Sequence, residues 1–365
     1  MRVLMTGDTI GGVWTYCLAL ADGLGRLGIE VHLATMGRLP SAGQRAAAGA
    51  VRGLVLHASE APLCWMPEAT PGELRRAGHW LLELVRRSRP DLVHLNDFGH
   101  GGLPWPVPVV LVGHSCVLSW WQAVHGVSAP AQWNGYRELV QRALERADCV
   151  VAPTRAMGRA LRQHYGLRIP ARVVPNGLAS PRDGGPAPKQ PLILAAGRLW
   201  DQAKNIAALA DVAASLRWPV AVAGEGGADA SRWHALRLLG PLPPAALAAH
   251  YRAAAVFALP ARYEPFGLAP LEAASRGCAL VLGDIPSLRE VWGDAALFVP
   301  PDDRARLGRT LSALIDDPDL RHRYARRASA RAADYGIEQM TEGYVRVYDR
   351  VLDRVGAQVS AAVAG

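Results

Sequence analysis

The chain runs to 365 residues, half of them apolar, which is more than one hydrophobic core usually serves, so two domains of roughly 170 residues each are expected. Its formal charge of +8 is spread along an arginine-rich sequence without long basic blocks, so charge alone selects neither nucleic acid, nor an anionic membrane surface, nor a phosphorylated ligand. No apolar window reaches the length of about 18 residues that a spanning helix needs, and Gly7-Asp8 stops the opening Met1-Arg2-Val3-Leu4-Met5 before a signal-peptide core forms; a cytoplasmic protein is expected. Cys17, Cys64, Cys116, Cys149 and Cys278 lie far apart with no C-x-x-C pair and no zinc spacing, as reduced and mostly buried thiols do.

Short β-rich apolar runs alternate with helical patterns from end to end, the signature of βαβ units and parallel sheets. In the first half the expected strands are Arg2 to Thr6, Glu30 to Thr35, Gly53 to His57, Asp91 to Leu95, Pro108 to Gly113, Cys149 to Ala152 and Arg172 to Val174. Helices are expected at Val13 to Leu27 and Tyr136 to Ala147. A third, Glu73 to Arg89, carries five arginines around one apolar face and reads as a solvated helix face more readily than as a membrane dock. Periodicity is lost between Leu178 and Gln190, which are rich in Pro, Gly, Ser and Lys. The domain plan is therefore 1–180, a linker at 181–190, a second domain at 191–335 and a C-terminal helix at 336–365.

The second series begins with strand Leu192 to Ala196 and helix Asn205 to Leu216, followed by strand Val220 to Ala223, helix Ala245 to Ala254 and strand Val256 to Leu259. Helix Pro270 to Arg276 and strand Ala279 to Leu282 complete it. The fold class is α/β, with two Rossmann-like doubly wound domains. Two such sheets facing a central cleft would gather loops and helix N-termini at their strand carboxyl ends, where a ligand belongs.

The most informative stretch is Tyr263-Glu264-Pro265-Phe266-Gly267-Leu268-Ala269-Pro270-Leu271-Glu272-Ala273-Ala274-Ser275-Arg276-Gly277. Pro270 suits a first helical position and Gly277 a left-handed helix end. Gly267 lets the loop backbone approach a ligand, and its amides with the helix start suit an anionic or hydroxyl-rich group. Glu272, expected in the first turn, has the chemistry to accept hydrogen bonds from ribose hydroxyls, and Glu264, eight residues earlier, from the hydroxyls of a sugar. Each glutamate taken singly is also what a helix dipole or an exposed loop would carry.

Together they resemble the E-x7-E motif of retaining family-4 glycosyltransferases, which have the fold called GT-B, and the resemblance extends over essentially the whole chain. It implies that Glu264 sits by the donor sugar, that Glu272 binds the nucleotide ribose, and that Phe266, Gly267 and Leu268 form the amide-bearing loop. Gly197-Arg198-Leu199-Trp200-Asp201-Gln202-Ala203-Lys204-Asn205 looks like the family's G-R-L…K-N element, with Arg198 and Lys204 neutralising the donor diphosphate. The Arg-to-Lys gap is one residue longer than the commonest spacing. Gly11 and Gly12 fit the family's N-terminal glycine loop at the donor phosphates, and His114 the histidine that faces the donor sugar. His94, also at a strand end, reads as a packed or hydrogen-bonded histidine more readily than as an acceptor-side one, and Cys116 lacks the orienting third group of a nucleophile pair.

Val222-Ala223-Gly224-Glu225-Gly226-Gly227 and Leu239-Gly240-Pro241-Leu242 resemble two further landmarks of the donor domain. The stretch after Pro318, with Tyr335, Tyr344 and Tyr348, resembles the C-terminal helix that crosses back to the first domain. Asp317-Pro318-Asp319 matches a metal-binding D-x-D string but falls at an expected helix-to-helix turn. With two cations at the diphosphate, neither a metal nor another cofactor is called for.

The resemblance thus implies transfer of a hexose-type sugar from a nucleotide-diphosphate donor, a UDP- or GDP-sugar, to a hydroxyl of a saccharide, lipid-linked or small-molecule acceptor. Nucleic acid is not expected as a partner, and peripheral contact with the inner face of a membrane stays open. Trp14, Trp65, Trp80, Trp105, Trp120, Trp121 and Trp133 crowd the first domain as core or as acceptor platforms. A nucleotide-sugar epimerase on the same fold is the nearest alternative. A dinucleotide oxidoreductase lacks its glycine fingerprint, and a non-enzymatic binding protein would rest on the basic balance alone.

Overall fold

The computed structural model describes residues 1–66, 68–179, 188–226 and 230–363. The chain divides into two units, one formed by Met1–Ser119, Ser128–Gly177 and the residues from Ile337 onward, the other by Trp120–Val127 and Leu178–Gly336. Most of the linker expected at 181–190 lies outside the described residues.

In chain order the first part contains β1 (Arg2–Asp8), α1 (Gly12–Arg26), β2 (Glu30–Met36), α2 (Ala42–Gly49), β3 (Leu54–Ala58), α3 (Pro71–Ser88) and β4 (Leu92–Leu95). It continues with β5 (Val109–Val112), α4 (Val117–His125), α5 (Asn134–Arg146), β6 (Cys149–Ala152), α6 (Arg155–Tyr165) and β7 (Arg172–Val173). These strands form a parallel sheet in the order β3-β2-β1-β4-β5-β6-β7. Every residue of β4 and β5 is buried, as continuous apolar strands are when helices cover both sheet faces. Local signals start and stop the helices. Thr70 caps α3 through its side chain with Pro71 behind it, and Gly166 ends α6 at φ +71°.

The second part runs β8 (Gln190–Ala196), α7 (Ile206–Ala213), β9 (Val220–Ala223), β10 (Arg237–Gly240), α8 (Pro244–Ala253), β11 (Ala254–Leu259), α9 (Leu268–Ser275) and β12 (Ala279–Gly283). After these come α10 (Pro286–Trp292), β13 (Leu297–Val299), α11 (Arg304–Asp316), α12 (Pro318–Ala332) and α13 (Ile337–Val363). Its sheet, also parallel, has the order β10-β9-β8-β11-β12-β13. The short strands β10 and β13 went unforeseen: β10 lies at the sheet edge, exposed at Arg237 and Leu238, so it lacks the apolar run of a buried strand, and β13 has only three residues.

Both sheets are doubly wound. In each, the first strand of the unit hydrogen-bonds on either side to strands whose connections leave in opposite directions: β1 lies between β2 and β4, and β8 between β9 and β11. The crevice at the carboxyl ends of such a strand pair is where ligands bind in open α/β sheets.

Only α13 returns to the first unit. Met340, Tyr344, Val347, Tyr348 and Val351 recur at helical spacing and are buried in a cluster with Tyr16, Leu20 and Leu24 of α1. The two helices touch closely at Gly23, where an added Cβ would stand 1.9 Å from the Thr341 hydroxyl oxygen. The expectation that the whole stretch after Pro318 crosses back is corrected. The helix α12 packs on α9 and β12 of the second unit. Tyr335 belongs there too, its ring edge-on to Phe266 at 5.5 Å and its hydroxyl donating to the Val291 carbonyl.

Candidate active site

The second unit places its two sequence motifs on neighbouring strands. Gly197 to Asn205 follows β8, Pro260 to Gly267 follows β11, and the two strands are hydrogen-bonded partners. The loops are then joined to each other: the Arg262 and Tyr263 amides donate to the Ala203 carbonyl at 2.8 and 3.4 Å. Asn205 closes the junction. It was expected to begin the α7 helix but instead takes a left-handed conformation at φ +55°, its amide donating to the carbonyls of Pro260 and Pro301 while its oxygen accepts from Arg262. A buried Asn making these bonds satisfies three loops at once, and the helix starts only at Ile206 and stops at Ala213.

This junction sets the charged groups. Lys204 Nζ lies 2.7 Å from Glu264 Oε2, both side chains largely buried. Arg198 donates from Nη2 to Asp201 Oδ2 at 2.8 Å and lies over the Trp200 ring at 4.9 Å. Its Nε is buried and has no hydrogen-bond partner among the described residues. Asp201, 5% exposed, also accepts from the Ala203 amide at 3.0 Å and from Trp120 Nε1 at 3.2 Å. Burial alone would raise the Asp201 carboxyl, but the hydrogen bond and charge of Arg198, the charge of Lys204 and the Trp120 N–H hold it below the usual range. An ionised, buried carboxylate thus fixes one motif cation while Glu264 fixes the other. Sequence reasoning passed over Asp201 and read Asn205 only as a helix start and the end of the K-N string; the extra residue between Arg198 and Lys204 was the one signal that this loop differs.

Gly267 adopts φ +95°, a conformation that favours glycine, and caps α9. The helix therefore begins at Leu268, two residues before the expected start, so Pro270 is its third residue and Glu272 lies past the first turn. Pro270 is still tolerated there, because the first amides of a helix have no partner within it. Gly277 ends the segment at φ +80°, as expected. Glu272 is half-buried, and burial raises its carboxyl while Arg276 and the Tyr251 hydroxyl act in the opposite sense. Phe266 is buried against Tyr335. The β9 loop approaches β8 so closely that a Cβ on Gly224 would fall 2.0 Å from the Gly197 carbonyl oxygen; Gly227, from the same landmark, lies outside the described residues.

In the first unit, Gly11 caps α1, which begins at Gly12. The Ile10 and Gly11 amides already donate to Asp8 Oδ1, at 2.9 and 3.2 Å. His114 follows β5, half-buried, with Nε2 2.8 Å from Asn96 Oδ1 and its ring edge-on to Tyr16 at 4.5 Å. Asn96 Nδ2 donates to the Thr6 carbonyl, so Oδ1 is the acceptor, His114 carries its proton on Nε2 and Nδ1 is an acceptor. Burial pushes the His114 pKa down to about 3, which keeps the imidazole neutral at pH 7. His94 is the packed histidine expected: fully buried, it bonds Tyr348, Asn96 and Tyr16, and its pKa too is pushed down to about 3, by burial and then by His114. The Cys116 thiol is buried, raised, and paired with the Ser119 hydroxyl at 2.8 Å. Asp317 accepts from the Leu320 amide as the cap of α12, the helix turn foreseen for the D-x-D string.

Residues 10–180 match the family described as Glycosyltransferase Family 4, and residues 179–331 the one described as Glycosyl transferases group 1. The chain belongs to glycosyltransferase family 4. It is an enzyme of the GT-B fold that transfers a sugar from a nucleotide-sugar donor to an acceptor. The glycosyltransferase is 29% identical to a D-inositol 3-phosphate glycosyltransferase of Nocardia farcinica over 94% of its own length and 85% of the relative's. A phosphatidyl-myo-inositol mannosyltransferase of Mycolicibacterium smegmatis is 32% identical over 47% of this chain and 48% of the relative. Among solved structures, the sucrose-phosphate synthase of Thermosynechococcus elongatus has the same fold, with a TM-score of 0.79 at 19% identity over 97% of this chain and all of the other.

Proposed function

We propose that this glycosyltransferase moves a hexose-type sugar from a UDP- or GDP-sugar to a hydroxyl of a saccharide, lipid-linked or small-molecule acceptor, retaining the anomeric configuration and requiring no metal. The observation that carries the reading is the Lys204–Glu264 pair with Arg198 on the same joined loops, at the carboxyl ends of β8 and β11. A departing nucleoside diphosphate gains charge in the transition state. A fixed guanidinium and ammonium stabilise that charge more than they stabilise the bound donor. Arg198 brings an unpartnered N–H for a phosphate oxygen; Lys204 exchanges its carboxylate partner for the diphosphate, which leaves Glu264 to accept from sugar hydroxyls.

Glu272 serves the ribose and the amides of Phe266, Gly267 and Leu268 serve the phosphates, while in the first unit His114 and the Gly11-Gly12 turn are the groups proposed for donor contact. The departing phosphate oxygen takes the acceptor proton, so Glu264 and neutral His114 orient and stabilise without a covalent intermediate. The names of the relatives direct the acceptor search to inositol phosphates and their lipids first. The test incubates purified protein with labelled UDP-, GDP- and ADP-sugars and these acceptors in EDTA, following the anomeric proton by NMR. Product with the donor's configuration supports the reading. Donor isomerised without acceptor consumption would make the enzyme an epimerase, and turnover only after a divalent ion is added would end the metal-free mechanism.

A further inference from the structure

We propose that a basic groove of the first unit, between the α6–β7 loop and α13, seats the phosphate headgroups of an anionic phospholipid bilayer. The groove encloses about 800 Å³ and has Arg168 and Arg172 on one wall and Arg350 and Arg354 on the other. Arg350 and Arg354, four residues apart on α13, share one helix face, where like charges oppose each other unless an anion joins them. None of the four guanidinium groups has an ion pair or hydrogen bond with a described residue. Two acids line the groove, and of these Asp148 is turned to the Val109 amide at 2.8 Å, leaving Glu145.

The floor is apolar, with Leu144, Val347 and Val351. At the rim stands Ile169, 73% exposed, between Arg168 and Arg172. An apolar tip flanked by arginines gains nothing from a dissolved phosphate; it gains from a surface whose charged layer lies over an apolar one. The basic face of α3 makes the contrast. There Glu73 pairs with Arg76, Glu83 pairs with Arg86 and Arg87, and the apolar stripe is buried in the core. Among the described residues no helix is long and apolar enough to cross a membrane, so such contact is peripheral.

Sedimentation of the full chain with vesicles of phosphatidylcholine, alone or mixed with phosphatidylglycerol, tests the assignment. The wild type is expected to pellet only with the anionic vesicles. Arg350→Ala/Arg354→Ala should weaken that partition by about 30-fold, and Ile169→Ser, on a loop, by at least about tenfold. Arg323→Ala/Arg326→Ala on α12, with the same charge change elsewhere, should bind within about twofold of the wild type. The proposal falls if neither vesicle binds, if both bind equally, if the α12 control loses as much as the groove variant, or if inorganic phosphate at constant ionic strength displaces the protein.

Discussion

The Lys204 ammonium and the Glu264 carboxylate, sixty residues apart in sequence, stand 2.7 Å from each other where the loops after two paired strands meet. The pair joins the cation proposed for the diphosphate to the acid proposed for the sugar, so each group is held in place before a donor arrives.

Glu264→Gln separates these roles. Releasing Lys204 should tighten binding of the nucleoside diphosphate by roughly 3- to 10-fold, while loss of the charged acceptor at the sugar, one of whose oxygens becomes an amide donor, should lower kcat by about 100-fold or more. Isothermal titration and steady-state rates read the two effects. If diphosphate affinity and kcat fall together, the pair does not restrain Lys204.

Asp201→Asn should cost about 2–3 kcal/mol in urea unfolding at pH 7, because three donors lose a charged acceptor. The Asp201 carboxyl is held below its ordinary value, so its contribution is present above the unfolded pKa of about 4 and fades as pH falls through the folded one. The difference between wild type and variant should shrink below about pH 4. A gap of constant size down to acid pH would show that the charge is irrelevant.

His94 and His114 predict the acid limb of stability. Both have pKa values near 3 in the folded chain, against about 6.5 when unfolded, so the unfolded state binds the extra protons and stability is lost as pH falls below about 6.5. The slope should reach up to about 2.7 kcal/mol per pH unit for the two together. His114→Asn should roughly halve it. Denaturant melts between pH 7.5 and 5 measure it, and an unchanged slope in the variant would mean that His114 is not neutral by burial.

Gly23→Ala probes the helix that returns. The added methyl meets Thr341 on α13, so the gain in helix propensity of about 1 kcal/mol should be outweighed by overpacking of about 1–3 kcal/mol. Thr341→Ala in the same chain should restore the melting temperature. A double-mutant cycle with no coupling would place the two residues apart.

Most of the architecture was legible in one dimension. Cys149–Ala152 and Val220–Ala223 are the very strands that apolar patterning marks, and the other foreseen strands shift by no more than two residues at an end, because buried parallel strands must be continuous apolar runs wherever they sit. Glycines whose backbones take positive φ, such as Gly267 and Gly277, were visible for the same local reason. The motif residues Arg198, Lys204, Glu264 and Glu272 could be named from the sequence because their strings resemble a family pattern; spacing and chemistry alone left each open to a plainer reading.

Which charge meets which was decided only in three dimensions. Lys204 finds Glu264 because β8 and β11 are neighbours, and sheet order is set by how whole units pack. Asn205 left the helix its propensity allowed because two distant carbonyls needed a donor, and Asp201 was drawn inward by Arg198 and Trp120. Periodicity and capping act over a few residues and are written in the chain; the pairing of buried charges depends on segments far apart in sequence, and no local pattern records it.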